Sequence, residues 1–416
     1  MKASTEPGTS SLQRLSDVSE LIRQRRLSPV DVVMTCFERI EHLQPHLNAF
    51  ITVAADAALE AAKTAEGEIH RGRWRGPLHG IPVGIKDFYD TAGVRTTAAF
   101  EHFKERIPKR DAASVEKLKR AGAIVIGKTN MHTLGMGTTG LDSCFGPVRN
   151  PWNADYIPGG SSSGSAAAVA SGMCFATLDT DAIGSCRLPA ACCGVVGYKG
   201  SYGAIDVNGI LEGEQPPDDT IRWLSHAGLT TRSVHDTALV LDVLAKRSDD
   251  AGAPTWHVDL SKERRFRIGV ADNVKVDEDV ARAFDNAVAT IRELGHSVRQ
   301  VPAPLADLRK GIANIQADRA SIGGLVFADI EVLVLPTTAT TTPAVKDAAK
   351  SPQALSPELT MFANYYGLPA VSVPCGLDRH GLPVGLQIVG RPDDDVSVLL
   401  LASQYTSESS GTSDHA

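Results

Sequence analysis

The sequence predicts an α/β protein, a single α/β/α sandwich built around a central mixed, largely parallel sheet. Two observations predict it. Short apolar runs, each long enough for one buried strand, alternate along the chain with segments whose apolar residues recur at helical spacing. The stretch 266–301 shows this pattern most completely, because an apolar strand, an amphipathic helix and a second strand follow one another there.

The predicted elements begin with a helix at Ser28-Pro29, where serine can serve as the N-cap and proline as the first helical residue. Apolar residues recur at helical spacing from Val30 to Phe37, and an alanine-rich helix is predicted over 54–70. The other predicted elements are strands at 81–85, 123–126, 266–270, 297–301, 332–335 and 371–373, and helices at 112–120 and 280–291.

The chain is expected to form one domain over residues 11–403. Neither a linker nor an internal repeat interrupts this range. Residues 1–10 and the serine- and threonine-rich residues 404–416 are expected to be flexible ends.

The composition excludes several classes of protein. The 416 residues carry a formal net charge of −7 and are 43% hydrophobic, which is ordinary for a globular protein. No apolar stretch reaches the roughly 18 residues of a membrane span. A net acidic chain without basic blocks is not expected to bind nucleic acid. Seven cysteines without regular spacing, and the lack of an apolar signal segment, predict a cytoplasmic protein.

The residues suited to chemistry lie in two polar loops and at one strand end. A glycine-rich serine loop, residues 158–165, leads into an alanine-rich helix, so several backbone N–H groups are expected to point to one place. A second polar loop covers residues 180–189. Lys86 follows a short apolar strand, and burial there would lower its pKa toward the value that a general base needs. No motif for a metal is present, and no cofactor is expected.

These motifs resemble the amidase signature family. The resemblance rests on Gly84–Asp87, Pro158–Ser165 and Thr180–Ala190, which occur in the family's order. Further motifs of the family's style lie at 127–130, 145–152 and 385–392, so the likeness covers about residues 10–400. Several motifs in one order are far more specific than any single match.

The resemblance implies a Ser–Ser–Lys triad. Ser185 matches the nucleophile, Lys86 matches the general base, and Ser161 matches the bridging serine that follows a cis peptide bond in the family. A serine hydroxyl needs such a base, and a neutral lysine can take its proton through the second serine. The implied oxyanion hole consists of the backbone N–H groups of Ala182, Ile183, Gly184 and Ser185.

Other residues near these motifs have a structural interpretation. Asp181 and Arg187 are expected to form a pair that shapes the second loop. Three cysteines in or after this loop, Cys186, Cys192 and Cys193, are expected to be small core residues rather than nucleophiles, because free cysteine is commonly buried and inert.

The chain departs from the family's pattern at two places. Ile183 stands where the family has glycine, and a β-branched residue does not easily take a positive φ; either this position has ordinary dihedral angles or the oxyanion hole is altered. The segment 305–327 is short and is expected to lack a helical stretch with which relatives cover the substrate, so a more open pocket is predicted. The expected pocket residues are Met131, Gly135, Met136, Gly137 and Gly160.

The predicted function is hydrolysis of a C–N bond in a linear amide or carbamate, of the anilide or urethane type, with esters as further candidates. The alternative is the glutamine-hydrolysing subunit of a tRNA-dependent amidotransferase, which would need a partner protein. The largely uncharged stretch 131–137 favours the first. A catalytically silent scaffold ranks last, because all three triad residues are present. A homo-oligomer is compatible with the sequence.

Overall fold

The computed structural model of the chain describes residues 14–245, 260–306 and 311–411. Within these ranges eleven strands form one mixed sheet with helices on both faces, which confirms the predicted α/β/α sandwich. The strands are β1 (Phe50–Val53), β2 (Pro82–Lys86), β3 (Ile124–Thr129), β4 (Ala176–Asp181), β5 (Val196–Lys199), β6 (His226–Thr231), β7 (Arg267–Ala271), β8 (Ser297–Val301), β9 (Val332–Pro336), β10 (Ala370–Leu377) and β11 (Pro383–Gly390).

The helices lie in two layers. They are α1 (Leu15–Arg23), α2 (Pro29–Leu47), α3 (Ala55–His70), α4 (Ala113–Arg120), α5 (Ser163–Ala170), α6 (Arg187–Cys193), α7 (Asp219–Leu224), α8 (Val234–Leu244), α9 (Glu278–Glu293), α10 (Ile315–Leu325), α11 (Val345–Ala348), α12 (Met361–Tyr365) and α13 (Asp395–Gly411). Helices α1, α4, α8, α9 and α13 share the larger core with one face of the sheet. Helices α2, α3, α5 and α6 share a second core with the opposite face.

The sheet order is β1-β3-β2-β4-β6-β5-β10-β11-β9-β7-β8. Among these eleven strands, parallel pairs occur toward the two ends, in β3-β2-β4 and in β9-β7-β8. The other six neighbouring pairs are antiparallel, so the prediction of a largely parallel sheet is wrong. Apolar runs did not reveal the antiparallel middle strands, because β4 and β6 carry buried polar residues such as Thr177, Asp179 and Thr230.

The predicted helix at Ser28 is confirmed, since the Ser28 hydroxyl accepts a hydrogen bond from the Val30 N–H at 3.0 Å. The prediction of a flexible end from residue 404 is wrong, because α13 continues to Gly411. Its apolar residues Val398, Leu401 and Tyr405 recur at helical spacing and are buried against the sheet. Residues 1–10 and 412–416 lie outside the described residues.

The segment 305–327 does contain a helix, α10. The more open pocket expected from its shortness stays a prediction.

Two neighbouring parallel strands bring the candidate residues together. Lys86 ends β2, and Thr180 and Asp181 end β4, which pairs with β2. Val83 and Ile85 lie in the larger core, so strand alternation places Lys86 on the opposite face, the face that carries α5. No helix within the described ranges is long and apolar enough to cross a membrane.

Candidate active site

Lys86 is fully buried and surrounded by hydroxyl groups. Its Nζ donates hydrogen bonds to Ser161 Oγ at 2.8 Å, to Ser162 Oγ at 2.8 Å and to Thr180 Oγ1 at 2.9 Å. Burial lowers the pKa of Lys86 from 10.5 to about 8, and the buried carboxylate of Asp179 opposes only part of this effect. A lysine with this pKa is partly neutral near pH 8 and can accept a proton.

Ser161 lies between Lys86 and the second loop. The peptide bond between Gly160 and Ser161 is cis. The Ser161 carbonyl accepts a hydrogen bond from the His132 N–H at 3.0 Å, and α5 begins two residues later at Ser163. The Ser161 side chain is thereby held at the start of a buried helix, with its hydroxyl on the lysine.

Ser185 is joined to the serine loop through the backbone, since its carbonyl accepts from the Ser162 N–H at 3.0 Å. Ser185 is 4% exposed, and its hydroxyl makes no hydrogen bond with any described residue. The structure therefore brings Lys86 and Ser161 into direct contact and places Ser185 on the adjoining loop.

The loop before Ser185 depends on a glycine. Gly184 has φ +131°, and a Cβ at this position would lie 2.3 Å from Thr360 Oγ1. Ile183 is not among the described residues with a positive φ, so its β-branched side chain is accommodated with ordinary dihedral angles. Thr360 Oγ1 also donates to the Ile183 carbonyl at 2.5 Å, which fixes the loop from the outside.

The four expected oxyanion donors are not equivalent. The Gly184 N–H donates to Asp181 Oδ1 at 2.7 Å, so this hydrogen faces a carboxylate rather than a substrate. The structure therefore removes Gly184 from the expected set of oxyanion donors. The N–H groups of Ala182, Ile183 and Ser185 have no acceptor within the described part of the chain.

Asp181 and Arg187 form a fully buried, two-pronged ion pair, as expected. Arg187 Nε and Nη2 donate to the two Asp181 oxygens at 3.0 and 2.9 Å. Burial alone would raise the pKa of Asp181, but the guanidinium of Arg187 and a hydrogen bond from Asn364 hold that pKa well below its usual range. The same carboxylate accepts from Gly184, so the pair shapes the loop that carries Ser185.

The expected pocket residues fall into two groups. Gly135 lies beside the triad, because a Cβ there would be 3.7 Å from Ser161 Oγ, and Met136 is 63% exposed. Gly137 and Gly160 are close neighbours in the adjoining backbone. The expectation that Met131 lines the pocket is wrong, since this residue is fully buried and presents no surface to a substrate.

Sequence reasoning missed the hydroxyls of Ser162 and Thr180 on the lysine. Both lie inside motifs that were identified, so their position next to Ser161 and Asp181 was the available signal. It also missed Thr360 and Asn364, which contact the loop from α12 and its start, far along the chain.

The cysteines in and after the second loop are core residues. Cys186, Cys192 and Cys193 are buried, and burial raises the pKa of each thiol, as a core role requires. Within the described ranges, no group of three or more His, Cys, Asp or Glu side chains is placed to hold a metal ion.

Comparison with known proteins assigns the family. The chain matches the amidase family over residues 31–317 and 306–399. It is 32% identical to a subunit of the glutamyl-tRNA(Gln) amidotransferase of Carboxydothermus hydrogenoformans, over 94% of this chain and 96% of the relative. The chain therefore belongs to the amidase signature family.

Solved structures agree. The peptide amidase of Stenotrophomonas maltophilia superposes with a TM-score of 0.82 at 26% identity, covering 96% of this chain and 97% of that one. A bacterial aryl acylamidase of the amidase signature family superposes with a TM-score of 0.82 at 24% identity, covering 97% of each chain, which is a likeness of fold.

Proposed function

We propose that this chain is a serine amidohydrolase that forms an acyl-enzyme on Ser185, with Ser161 and Lys86 carrying the proton. One observation supports the proposal above the others: a fully buried lysine with a pKa lowered to about 8 donates to Ser161, on the loop bonded to Ser185. Lys128 is equally buried, but its acceptors are a backbone carbonyl and two threonine hydroxyls, none of them in the two loops that hold the serines.

The first half of the reaction forms the acyl-enzyme. Neutral Lys86 takes the Ser161 proton as Ser161 takes the Ser185 proton, and Ser185 Oγ bonds to the carbonyl carbon. The N–H groups of Ala182, Ile183 and Ser185 stabilise the oxyanion. The proton returns from Lys86 through Ser161 to the leaving nitrogen, the C–N bond breaks, and the amine departs.

Water completes the cycle. A water oxygen bonds to the acyl carbon while the same lysine and serine accept its proton. The bond to Ser185 Oγ then breaks, Ser185 regains a proton, and the carboxylic acid leaves. The substrate proposed is a small amide or carbamate of the anilide or urethane type, with an ester as a further candidate. A cytoplasmic location and a homo-oligomer stay predictions.

The test is release of nitroaniline from a short acyl-nitroanilide and from its carbamate analogue. We expect release by the wild-type protein and none above background by Ser185→Ala. The ratio of the two rates then gives the preference between amide and carbamate. Equal release by Ser185→Ala would refute the assignment of the nucleophile.

A second candidate is a glutamine-hydrolysing subunit of an amidotransferase. The observation that favours it is the amidotransferase relative, which matches over nearly the whole of both chains. Its test is glutaminase activity, measured alone and with any protein that co-purifies in constant ratio. Glutaminase activity that appears only with such a partner would put this candidate first.

A further inference from the structure

Ile183 packs its side chain on an apolar cluster beside the catalytic loop. The centre of the cluster is buried and consists of Leu224, Ile315 and Tyr365. Its outer residues are half-buried, so each keeps part of its apolar surface exposed. We call four of these outer residues the apolar wall: Ile183, Trp223, Ile312 and Tyr366.

Ile183 connects the apolar wall to the loop that carries Ser185. Ile183 lies two residues before Ser185, and its N–H is one of the three unoccupied donors of the loop. Its backbone is held by the hydrogen bond from Thr360. Ile183 is both a residue of the apolar wall and a near neighbour of Ser185, so the wall begins beside the serine that would hold the substrate carbonyl. A substrate bound for attack would therefore bring a substituent onto the wall.

The charges near the apolar wall are occupied within the protein. Arg319 donates to the carbonyls of Trp223 at 2.7 Å and Tyr365 at 2.8 Å, and its guanidinium lies 4.1 Å from the centre of the Tyr202 ring. The Tyr202 ring stacks in turn on Trp223 with an angle of 22° between the rings. Arg187 is bonded to Asp181. The wall thus presents carbon surface and aromatic faces, with its neighbouring cations already paired.

A substrate must match this surface. Free glutamine carries an ammonium and a carboxylate, and moving either against apolar side chains without a partner costs several kcal/mol, roughly. An uncharged aromatic substituent instead gains from burial on such a wall, at about 25 cal/mol per Å². The surface therefore favours an amide with a bulky apolar group.

Building on the proposed function, we propose that Ile183 is a specificity-determining residue and that the apolar wall binds an uncharged aromatic substituent next to the scissile amide. The substrate class is then aromatic amides and anilides rather than free amino acid amides.

The experiment compares two pairs of substrates, benzamide with acetamide and acetanilide with acetamide, by kcat/KM. The wild-type protein is expected to favour the aromatic member of at least one pair by more than about tenfold. Ile183→Thr, which removes one methylene and replaces a methyl with a hydroxyl, is expected to reduce that preference about tenfold, and Ile183→Val, which removes the methylene alone, by less than about fourfold. The matched control is Ile107→Thr, the same change at an isoleucine that is 61% exposed and outside the wall, and it should leave the preference unchanged.

A binding measurement keeps the outcomes distinct. The affinities of Ser185→Ala protein for the same three compounds, measured by calorimetry, do not depend on turnover. Tighter binding of an aromatic compound, lost on adding Ile183→Thr, supports the apolar wall even if hydrolysis is slow. Equal affinity for all three compounds, or no binding, overturns the inference. Hydrolysis that depends on Ser185 but shows no aromatic preference overturns the inference alone and leaves the proposed function standing.

Discussion

The pH dependence of hydrolysis should follow the titration of Lys86. With a pKa of about 8, the neutral fraction of this lysine is about 9% at pH 7 and about 91% at pH 9. Since the neutral amine is the proposed base, kcat/KM of the wild-type protein is expected to rise about tenfold between these two pH values and then level off. Nitroaniline release from an uncharged nitroanilide measures it, because that substrate does not titrate in this range.

Thr180→Val tests whether Lys86 is the group that titrates. Thr180 Oγ1 accepts from Lys86 Nζ at 2.9 Å, and this acceptor stabilises the charged form. A hydrogen bond to a charged group contributes about 1.5–3 kcal/mol, and one pKa unit corresponds to about 1.4 kcal/mol. Its removal should lower the pKa of Lys86 by about one unit. The increase in kcat/KM between pH 7 and pH 9 should then fall from about tenfold to about twofold. This ratio does not depend on the maximal rate of the variant.

The matched control is Thr96→Val. Lys128 is a second fully buried lysine whose pKa burial lowers to about 8, and it donates to Thr96 Oγ1 at 2.8 Å. This lysine is outside the proposed triad, so loss of its hydroxyl acceptor should leave the tenfold increase intact. An unchanged profile in Thr180→Val, or an equal shift in Thr96→Val, would refute Lys86 as the base.

Three further predictions concern the loop and its supports. Gly184→Ala should lower kcat at least about a hundredfold, because Gly184 has φ +131° and the new Cβ would lie 2.3 Å from Thr360 Oγ1. Steady-state kinetics measures the loss, and a circular dichroism spectrum shows whether the variant is still folded. Arg187→Met should lower the free energy of unfolding by about 3–5 kcal/mol in urea titrations, since it leaves Asp181 buried and unpaired; a change under about 1 kcal/mol would mean that the pair contributes little. Dialysis against EDTA should leave kcat unchanged, and a loss restored by one added metal would contradict the metal-free mechanism.

Apolar spacing and helix capping predicted individual helices and strands, because these signals lie within the elements themselves. The Ser28-Pro29 helix start, the buried strand before Lys86 and the unit at 266–301 all came from spacing and capping, and the structure has all three. Strand direction depends on partners far along the chain. The antiparallel centre of the sheet, where β5 pairs with β6 and β10, therefore could not be obtained from apolar runs.

In the candidate site, too, local motifs predicted some features, and contacts between distant residues determine the others. Motif order predicted Lys86, Ser161 and Ser185 as a triad, and the structure brings Lys86 into contact with Ser161 and joins the Ser185 loop to the serine loop. The loss of Gly184 as a donor follows from its hydrogen bond to the Asp181 carboxylate, and the Ile183 carbonyl accepts a hydrogen bond from Thr360. The Asp181 carboxylate is also held by Asn364, and Thr360 lies equally far along the chain from the loop, so these contacts appear only in the tertiary structure.

The burial that lowers the pKa of Lys86 also reduces the stability of the folded protein at neutral pH. Its pKa falls from 10.5 to about 8 on folding, so below pH 8 the folded protein carries a buried ammonium at a cost of about 3 kcal/mol relative to the unfolded chain. Between these two pKa values the unfolded chain binds more protons than the folded one, so the contribution of Lys86 to stability rises with pH, is complete above 10.5 and is lost as pH falls through 8. A carboxylate acceptor would remove this cost but would keep the lysine charged. Hydroxyl acceptors from Ser161, Ser162 and Thr180 instead satisfy the amine in both protonation states, because a hydroxyl can accept from the ammonium and donate to the neutral amine. The destabilised cation is consistent with the proposed role of Lys86, because a lysine that releases its proton near pH 8 can act as a base.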